Sequence, residues 1–218
     1  MKRKQFLVIG AGRFGSSVAQ TLYEQGHDVL VVDNNEAIVQ QISDKVTHAV
    51  VANATSEEAL EALGVKEFDV VVVAIGHEMQ DSIMASILLR ELGARYIVAK
   101  AQTELHGKVL RKIGVNRVVF PERDMGQKLA HSLVSSNIID LIELSETYSV
   151  VEVEAPQEMV GRTLQELDLR VRYGINVIAL RRADKDTNIS PGGEDKIAPG
   201  DVIVAVGENK ALKKLGWI

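Results

Sequence analysis

The sequence predicts an α/β protein in which a doubly wound parallel sheet comes first and a small α+β domain follows. Two observations carry this prediction. From residue 5 to about residue 120, short apolar segments alternate with amphipathic segments of helical periodicity. From residue 148 to residue 218, apolar and polar residues alternate with a period of two, and turn residues separate the runs. Strands that are apolar at nearly every position indicate a parallel sheet with helices on both faces.

Six strands are predicted in the first part of the chain, and glycine marks the ends of three helices between them. Gly64, Gly93 and Gly114 each follow an apolar helical segment and precede a β-rich run, as expected of a helix C-terminus. The sequence Thr55-Ser-Glu-Glu58 predicts a capping box for the helix that ends at Leu63. The predicted strands are residues 6–9, 29–32, 48–51, 70–74, 96–99 and 117–120.

A glycine-rich segment joins the first predicted strand to a helix over residues 16–24. Gly10, Gly12 and Gly15 have the spacing G-x-G-x-x-G, which suits a tight turn, close approach of a phosphate, and helix-on-strand packing, respectively. The second strand ends at Asp33, 18 residues after Gly15, where a carboxylate accepts hydrogen bonds from ribose hydroxyls and repels a 2′-phosphate. This context predicts a nucleotide-binding, Rossmann-like domain that disfavours NADP. The alternatives are a glycine turn without a ligand and an Asp33 that only caps a helix, a cap that Asn34 or Asn35 could equally provide.

Further candidate ligand-binding residues follow the carboxyl ends of predicted strands, at the same edge of the sheet as the glycines. Arg13 lies in the first turn of a helix, where a cation opposes the helix dipole unless a polyphosphate compensates it; a solvated arginine is the alternative. Lys100 ends a Y-x-x-x-K sequence, but a strand separates Tyr96 from Lys100 by about 13 Å, which excludes the Tyr-Lys acid/base pair of short-chain dehydrogenases. Glu122 begins a helix, where its charge is favourable even without a ligand. The other residues at this edge are Asn53, Ala54, Thr55, Ile75 and Gly76.

The sequence divides into two predicted domains. Residues 1–136 form the nucleotide-binding domain, which ends in a helix over residues 122–136. Residues 137–147 are the predicted connector, although they are too apolar for a bare linker, and another subunit is a natural cover for them. Residues 148–218 form the α+β domain, which is small enough to favour pairing with a second copy. Its predicted strands are residues 149–154, 176–180 and 201–206.

Composition excludes several functions. The net charge of −5 and the absence of a basic tract argue against nucleic-acid binding. The chain has no cysteine, which excludes disulfides and thiolate chemistry, and no apolar run approaches the ~20 residues of a membrane span. Two classes of function remain. An NAD-dependent oxidoreductase needs a base or proton donor near the nicotinamide, whereas a nucleotide sensor needs only binding and coupling domains. The tail shows no His-Asp or Lys-Tyr arrangement, so the pattern favours the sensor.

The whole chain resembles the RCK family (regulators of potassium conductance), and within it the cytosolic gating subunits of Ktr/Trk-type potassium uptake systems. The resemblance covers nearly all 218 residues, and the run Pro121-Glu-Arg-Asp-Met-Gly126 is far more specific than the glycine spacing. The other matching segments are Ala11-Gly-Arg-Phe-Gly15, Thr47-His-Ala-Val-Val-Ala-Asn-Ala-Thr55, Val73-Ala-Ile-Gly76, Lys100-Ala-Gln102, Tyr173-Gly-Ile-Asn-Val177 and Ser190-Pro191.

The resemblance implies a non-enzymatic cytoplasmic protein that binds ATP, ADP or NAD(H) and gates a membrane potassium channel or transporter subunit at the inner face of the cell membrane. It implies homodimers that assemble into an octameric ring, with ATP favouring the conducting state and ADP the inactive one. The glycines would hold the phosphates, Asp33 the ribose, and Arg13 the terminal phosphate of ATP, including across the dimer. Glu122 would approach the phosphates through a divalent cation, Mg²⁺ or Ca²⁺. The remaining implied pocket residues are Phe14, Asn35, Asn53, Ala54, Thr55, Ile75, Gly76 and Lys100.

A second ligand is implied for the carboxyl-terminal domain. Members of the family bind cyclic di-AMP between two copies of this domain, and the matching residues are Arg170, Ile175, Asn176, Val177 and Pro191. Residues 182–189 form a polar loop that is longer than the family leads us to expect. This departure from the family pattern weakens the assignment of cyclic di-AMP more than that of ATP.

Overall fold

The computed structural model describes residues 3–76, 78–134, 138–184 and 186–218. The chain divides into two compact units, Met1–Arg123 and Asp124–Ile218. Among the described residues, no helix is both long enough and apolar enough to cross a bilayer.

The first unit alternates strands and helices along the chain. Its six strands pair in parallel in the order β3-β2-β1-β4-β5-β6. β2 and β3 lie on one side of β1, and β4, β5 and β6 lie on the other side. The elements are β1 (Gln5–Ile9), α1 (Arg13–Glu24), β2 (Asp28–Asp33), α2 (Glu36–Ile42), β3 (His48–Val51), α3 (Glu57–Ala62), β4 (Val70–Val73), α4 (Met79–Glu91), β5 (Ile97–Lys100), α5 (Glu104–Lys112) and β6 (Arg117–Val119). Helix α6 (Pro121–Val134) begins in the first unit, and residues from Asp124 onwards belong to the second.

Both faces of this sheet are covered, which explains why its strands are apolar at nearly every position. On one face, Leu7 and Ile9 of β1 pack with Leu60 of α3 and with buried residues of α4 and α5. On the other face, Val8 of β1 packs with Ala19 of α1 and with α2. Successive residues of β1 therefore point into two different cores. The doubly wound parallel sheet predicted from the sequence is confirmed.

The strand order reverses between β1 and β4, and this position defines where a ligand can bind. In open α/β sheets, ligands bind in the crevice at the carboxyl ends of the strands where the order reverses. The glycine-rich segment follows β1, and Ile75 and Gly76 follow β4, so both lie at this point.

The second unit has a five-stranded sheet in the order β10-β9-β11-β8-β7, and all its pairs are antiparallel. Trp217, which is 1% exposed, packs in its core with Leu212 and with Ile203. The α+β tail predicted from the sequence is thus confirmed as a class. The elements are β7 (Ile138–Glu143), β8 (Tyr148–Glu154), α7 (Leu164–Leu167), α8 (Leu169–Tyr173), β9 (Asn176–Arg181), β10 (Thr187–Asn188), β11 (Val202–Glu208) and α9 (Asn209–Lys214).

The structure differs from the prediction in the segment 137–147. Residues Ile138–Glu143 form β7 and pair with β8, so this segment is mostly a sheet strand, not a connector. Leu141 of this edge strand packs against the core of the second unit, whereas Ile139 and Ile142 are exposed. The predicted helix 122–136 is observed as Pro121–Val134; residues 135–137, which include the predicted domain boundary, lie outside the described residues.

The capping box predicted at Thr55 is absent, and a simple side-chain cap one residue later takes its place. Ser56, and not Thr55, caps α3, because its Oγ accepts a hydrogen bond from the Ala59 N–H at 3.3 Å. The Thr55 hydroxyl instead donates to Asn53 Oδ1 at 2.8 Å.

A third difference lies in the predicted polar loop 182–189. This segment contains β10, which pairs with β9 to form a hairpin.

Candidate functional site

Gly10 and Gly15 shape the turn between β1 and α1. Gly10 has φ +92°, a left-handed conformation that glycine adopts without strain, and its N–H donates to the Val32 carbonyl at 2.7 Å. A Cβ on Gly15 would lie 1.8 Å from the Gly10 carbonyl oxygen. The first turn of α1 therefore packs against the loop closely enough to require glycine, as predicted.

Gly12 leaves an open approach to the start of α1. It is the N-cap residue of this helix, and no side chain in the described part of the chain caps the free N–H groups of the first turn. A Cβ on Gly12 would meet no atom within 4 Å, and the first turn holds no acidic residue. Unpaired N–H donors, a positive helix end and open space together suit an anion such as a phosphate.

Asp33 ties the glycine-rich segment to the end of β2. Its Oδ2 accepts from the Ala11 N–H at 2.7 Å, and its Oδ1 accepts from the Asn35 N–H at 2.9 Å. Each carboxylate oxygen has a second lone pair, so these bonds leave acceptor capacity for ribose hydroxyls. Asn35 caps α2 by accepting from the N–H groups of Ala37 and Ile38. The cap that the sequence allowed as an alternative is thus present at Asn35.

The residues after β3 and β4 complete this edge of the sheet. Asn53 Oδ1 accepts from both the N–H and the hydroxyl of Thr55, and Ala54 between them is buried. After β4, the Gly76 carbonyl accepts a hydrogen bond from the Gln102 side chain. Ile75 is half-buried against the core. These residues lie where the sequence predicts them, at the carboxyl ends of neighbouring strands.

Lys100 and Glu122 form an ion pair at this edge. Lys100, the last residue of β5, is buried, and its Nζ donates to Glu122 Oε1 at 2.5 Å. This hydrogen bond, with smaller contributions from the charges of Lys100 and Arg13, holds the pKa of the Glu122 carboxyl below its usual range despite partial desolvation. Lys100 Nζ also lies 5.9 Å from the centre of the Phe14 ring. The site thus brings together Phe14, Lys100 and Glu122, which are far apart in sequence.

Sequence reasoning named both Lys100 and Glu122 but missed their pairing. The available signal was their position: each lies immediately beyond or at the end of a neighbouring strand, β5 and β6, of one parallel sheet. Carboxyl ends of adjacent parallel strands meet at one edge, so a lysine and a glutamate at these positions can reach each other.

Arg13 is the first residue of α1 and is exposed. Within the described residues, no acidic group lies within ion-pair distance of its guanidinium, although its charge acts on Glu122. A cation at the start of a helix is electrostatically unfavourable unless an anion joins it. Its charge is therefore available to a ligand.

The described residues hold no group of three or more His, Asp or Glu side chains that could hold a metal ion. Glu122 is the carboxylate that the family resemblance assigns to a divalent cation, and its side chain is 69% exposed. A cation there would need further oxygen ligands from a nucleotide or from a second copy of the chain.

The residues matched to the second ligand lie in the second unit. Arg170 is exposed on α8, Asn176 is exposed at the start of β9, and Val177 and Pro191 are half-buried. Ile175 is 1% exposed and belongs to the core, so its side chain serves the fold. The other four side chains, those of Arg170, Asn176, Val177 and Pro191, are at least partly exposed to a ligand.

The fold and the strand-end edge define a class: a Rossmann-like domain of the dinucleotide-binding type followed by a small α+β domain. Two domain families match the chain, TrkA-N over residues 6–121 and TrkA-C over residues 148–216. The chain is 43% identical over 205 residues to Ktr system potassium uptake protein C of Bacillus subtilis, covering 94% of this chain and 92% of that protein. It is also 43% identical over 214 residues to protein A of the same system and species, with 98% and 96% coverage. The chain therefore belongs to the RCK family of TrkA-N/TrkA-C proteins that includes the Ktr potassium uptake proteins.

This membership confirms two predictions made from the sequence. The resemblance to the RCK family is correct, and the expectation of a non-enzymatic protein is confirmed by its relatives, which are potassium uptake proteins with the same two domains. The oxidoreductase alternative is therefore excluded.

Solved structures show the same fold. The GsuK channel bound to NAD superimposes with a TM-score of 0.69 at 19% identity, covering 97% of this chain and 38% of that longer chain. GsuK bound to ADP matches 60% of this chain and 35% of its own, with a TM-score of 0.53 at 21% identity. The Kef carboxyl-terminal domain of Shewanella denitrificans in its AMP-bound form matches 60% of this chain and 79% of its own, with a TM-score of 0.53 at 23% identity.

Proposed function

We propose that this protein is the cytoplasmic regulatory subunit of a potassium uptake system, and that an adenine nucleotide bound at the glycine-rich segment controls a membrane channel or transporter subunit. Its relatives act in the Ktr potassium uptake system, and its structural neighbours include proteins bound to NAD, ADP and AMP. Those three ligands share adenosine 5′-monophosphate. The open approach at Gly12, with unpaired N–H donors behind it, is the single observation that carries the nucleotide proposal.

The residues present fit an adenine nucleotide. The first-turn N–H groups of α1 would donate to its phosphates, and Asp33 would accept from its ribose hydroxyls. When bound, the phosphate chain supplies negative charge next to the exposed guanidinium of Arg13. The other residues proposed to line the pocket are Phe14, Asn53, Ala54, Thr55, Ile75, Gly76 and Lys100, with Asn35 adjacent as the cap of α2.

Regulation requires that two nucleotides act differently on the protein. A ligand shifts a conformational equilibrium only if it binds the two states with different affinity. ATP and ADP differ in the terminal phosphate, and Arg13 is the residue proposed to detect it, in its own subunit or across a homodimer. Glu122 would join this contact through a divalent cation, Mg²⁺ or Ca²⁺.

The proposal extends to assembly and to a second ligand. Homodimers would form an octameric ring at the inner face of the cell membrane and contact a Ktr/Trk-type partner. The carboxyl-terminal domain would bind cyclic di-AMP through Arg170, Asn176, Val177 and Pro191 with Ile175 behind them. Equilibrium dialysis of the full chain against cyclic di-AMP tests this assignment; the absence of binding would remove it.

Mass spectrometry of small molecules that co-purify with the full chain tests the nucleotide proposal, followed by calorimetry with ATP, ADP and NADH. We expect ATP or ADP to be recovered and to bind. The variant Arg13→Gln should weaken ATP binding more than ADP binding, because only ATP has the terminal phosphate. Arg95→Gln, at the amino ends of the strands, is the matched control and should change neither affinity. Equal losses for ATP and ADP in Arg13→Gln would contradict the role of Arg13.

A further inference from the structure

The ion pair between Lys100 and Glu122 is unequal in burial. The Lys100 side chain is 10% exposed, whereas that of Glu122 is 69% exposed. A buried ammonium group needs an anionic partner, because the protein interior solvates charge poorly, whereas an exposed carboxylate is solvated by water. Lys100 therefore depends on Glu122 much more than Glu122 depends on Lys100.

Lys100 lies beside the proposed phosphate position. Its Nζ is 5.9 Å from the centre of the Phe14 ring, and Phe14 is in the first turn of α1, where the N–H donors are unpaired. A Cβ on Gly76 would lie 3.5 Å from the same Nζ, in van der Waals contact, so the lysine head group also lies beside the residues that follow β4. The ammonium group thus sits between the ends of β4 and β5 and the start of α1.

Within the described residues, Glu122 is the acidic group within 4.0 Å of Lys100. A phosphate that entered this edge would meet a cation already paired with a carboxylate. Ammonium has three N–H donors and could contact both anions, but the carboxylate and the phosphate would then repel each other at short range. Release of Glu122 into water is inexpensive because its side chain is already exposed.

We propose that Glu122 competes with the ligand phosphate for Lys100, so that the nucleotide-free protein carries its own anion at the phosphate position. This inference rests on the proposed nucleotide function and adds a regulatory contact to the same site. In the absence of a divalent cation, the carboxylate weakens nucleotide binding by the free energy of its contact with Lys100. Nucleotide binding exchanges the partner of Lys100 and frees Glu122 at the start of α6.

The test measures ADP binding to the full chain by calorimetry, in EDTA and at fixed ionic strength, so that no divalent cation joins Glu122 to the ligand. Glu122→Gln should bind ADP about tenfold more tightly than the wild type, because a neutral amide competes poorly with phosphate for an ammonium group. The Gln side chain keeps an oxygen that can accept from Lys100, which favours retention of the fold. Glu122→Asp, with a carboxylate that is one methylene shorter, should show a smaller gain.

The gain must depend on Lys100. In a Lys100→Met background, the change Glu122→Gln should alter ADP affinity by no more than about threefold, since the shared partner has been removed. Glu91→Gln, an exposed glutamate at the end of α4, is the charge-matched control and should leave ADP binding unchanged. Circular dichroism of each variant checks the fold.

The outcomes separate this inference from the proposed function. If the wild type and every variant fail to bind ADP, the proposed function is wrong and this inference falls with it. If the wild type binds ADP but Glu122→Gln binds it equally or more weakly, the competition is disproved and the proposed function stands. An equal gain with and without Lys100 would show that Glu122 acts only by general repulsion, and this would also disprove the competition.

Discussion

Gly12 and Gly15 stand three residues apart in one motif, yet the structure gives them separate tasks. A methyl group on Gly15 would overlap the Gly10 carbonyl oxygen at 1.8 Å, whereas a methyl group on Gly12 would meet nothing within 4 Å. Gly12 has φ −63°, which alanine also adopts. Packing therefore requires a glycine at position 15 but not at position 12, where the proposed phosphate contact is the remaining reason for one.

We expect Gly15→Ala to lower the free energy of unfolding by about 3 kcal/mol or more, because the backbone must move to relieve the overlap. Gly12→Ala should lower it by less than about 1 kcal/mol, the cost of a poorer N-cap, but should weaken ADP binding at least about tenfold by filling the phosphate approach. Urea unfolding and calorimetry measure the two quantities. A Gly12→Ala variant that binds ADP normally would show that the phosphates lie elsewhere.

His106 makes the stability of the first unit depend on pH. The residue is 0% exposed, its Nδ1 accepts from the Gln102 N–H, and its Nε2 has no hydrogen-bond partner within the described residues. Burial lowers its pKa below the usual value of 6.5. Below pH 6.5 the unfolded chain therefore takes up a proton that the folded chain does not, and stability falls as the pH falls.

We expect the wild type to lose about 1 kcal/mol more unfolding free energy than His106→Gln when the pH changes from 7.5 to 5.5. Gln keeps a polar group at this position without titrating. Urea unfolding at the two pH values gives both differences, and the other histidines are common to the two proteins. The same loss in both proteins would show that His106 does not control this pH dependence.

At the scale of elements, the sequence predicts what depends on local pattern. The six parallel strands, the glycines that end helices and the first strand-to-helix turn are all present, because each depends on a nearby run of residue types. The strand β7 was missed because it is a short apolar segment between a long helix and the strand β8, with which it pairs. Periodicity alone does not show whether such a segment pairs or links.

The cap of α3 shows a second limit. Thr55 and Ser56 are both good N-cap residues, and the sequence favours Thr55 because Glu58 lies three positions later. In the structure, the Thr55 hydroxyl donates a hydrogen bond to Asn53 Oδ1, and Ser56 Oγ caps the helix by accepting from the Ala59 N–H. A competing side chain two residues earlier decided the outcome, and capping rules do not include it.

Arg182 joins three parts of the second unit at the end of β9. It pairs with Asp201 at 2.5 Å, donates to the Lys196 carbonyl at 2.8 Å and lies 3.8 Å from the Asp195 carboxylate. The Asp201 side chain is 1% exposed. Loss of the arginine would leave a buried carboxylate with the Ala198 N–H as its remaining donor within the described residues.

We therefore expect Arg182→Met to destabilise the second unit by about 3 kcal/mol. Arg181→Met is the matched control: the neighbouring Arg181 pairs with Glu152 at the surface, where both side chains are about one-third exposed, so the cost should stay below about 1 kcal/mol. The single tryptophan of the chain, Trp217, is buried in this unit, so its fluorescence in urea reports the transition. Equal losses in the two variants would contradict the buried pairing.

At the scale of the whole molecule, the sequence predicted the residues of the candidate site better than their relations. The glycines and Asp33 stand out in the sequence because dinucleotide-binding turns have a fixed local spacing. The pairing of Lys100 with Glu122 could not be found this way, because it joins the ends of two strands across 22 positions of sequence. The fold, and not the local sequence, determines that Lys100 is paired with Glu122. It likewise determines that Arg13 has no acidic partner among the described residues.

One face of α6 carries apolar side chains that the described residues leave exposed. Met125 is 65% exposed and Leu133 is 75% exposed, and both lie on the same side of the helix as Leu129. Exposed apolar side chains repeated at helical spacing favour contact with another surface. Since the proposed assembly is built from homodimers, a second copy of the chain is the partner we expect.

Native mass spectrometry of the full chain tests this assembly. We expect the wild type to appear mainly as eight copies of the 23.8 kDa chain, and Met125→Glu combined with Leu133→Glu to appear as smaller species, because two carboxylates would be buried without partners in the interface. Gln127→Glu adds a charge to the opposite face of α6 and should keep the wild-type mass. Apart from the effect of its smaller assembly, the double variant should unfold at the same temperature as the control. Neither Met125 nor Leu133 belongs to a hydrophobic core of the described residues. A wild-type monomer, or an assembly that survives both glutamates, would show that this face of α6 does not hold the copies together.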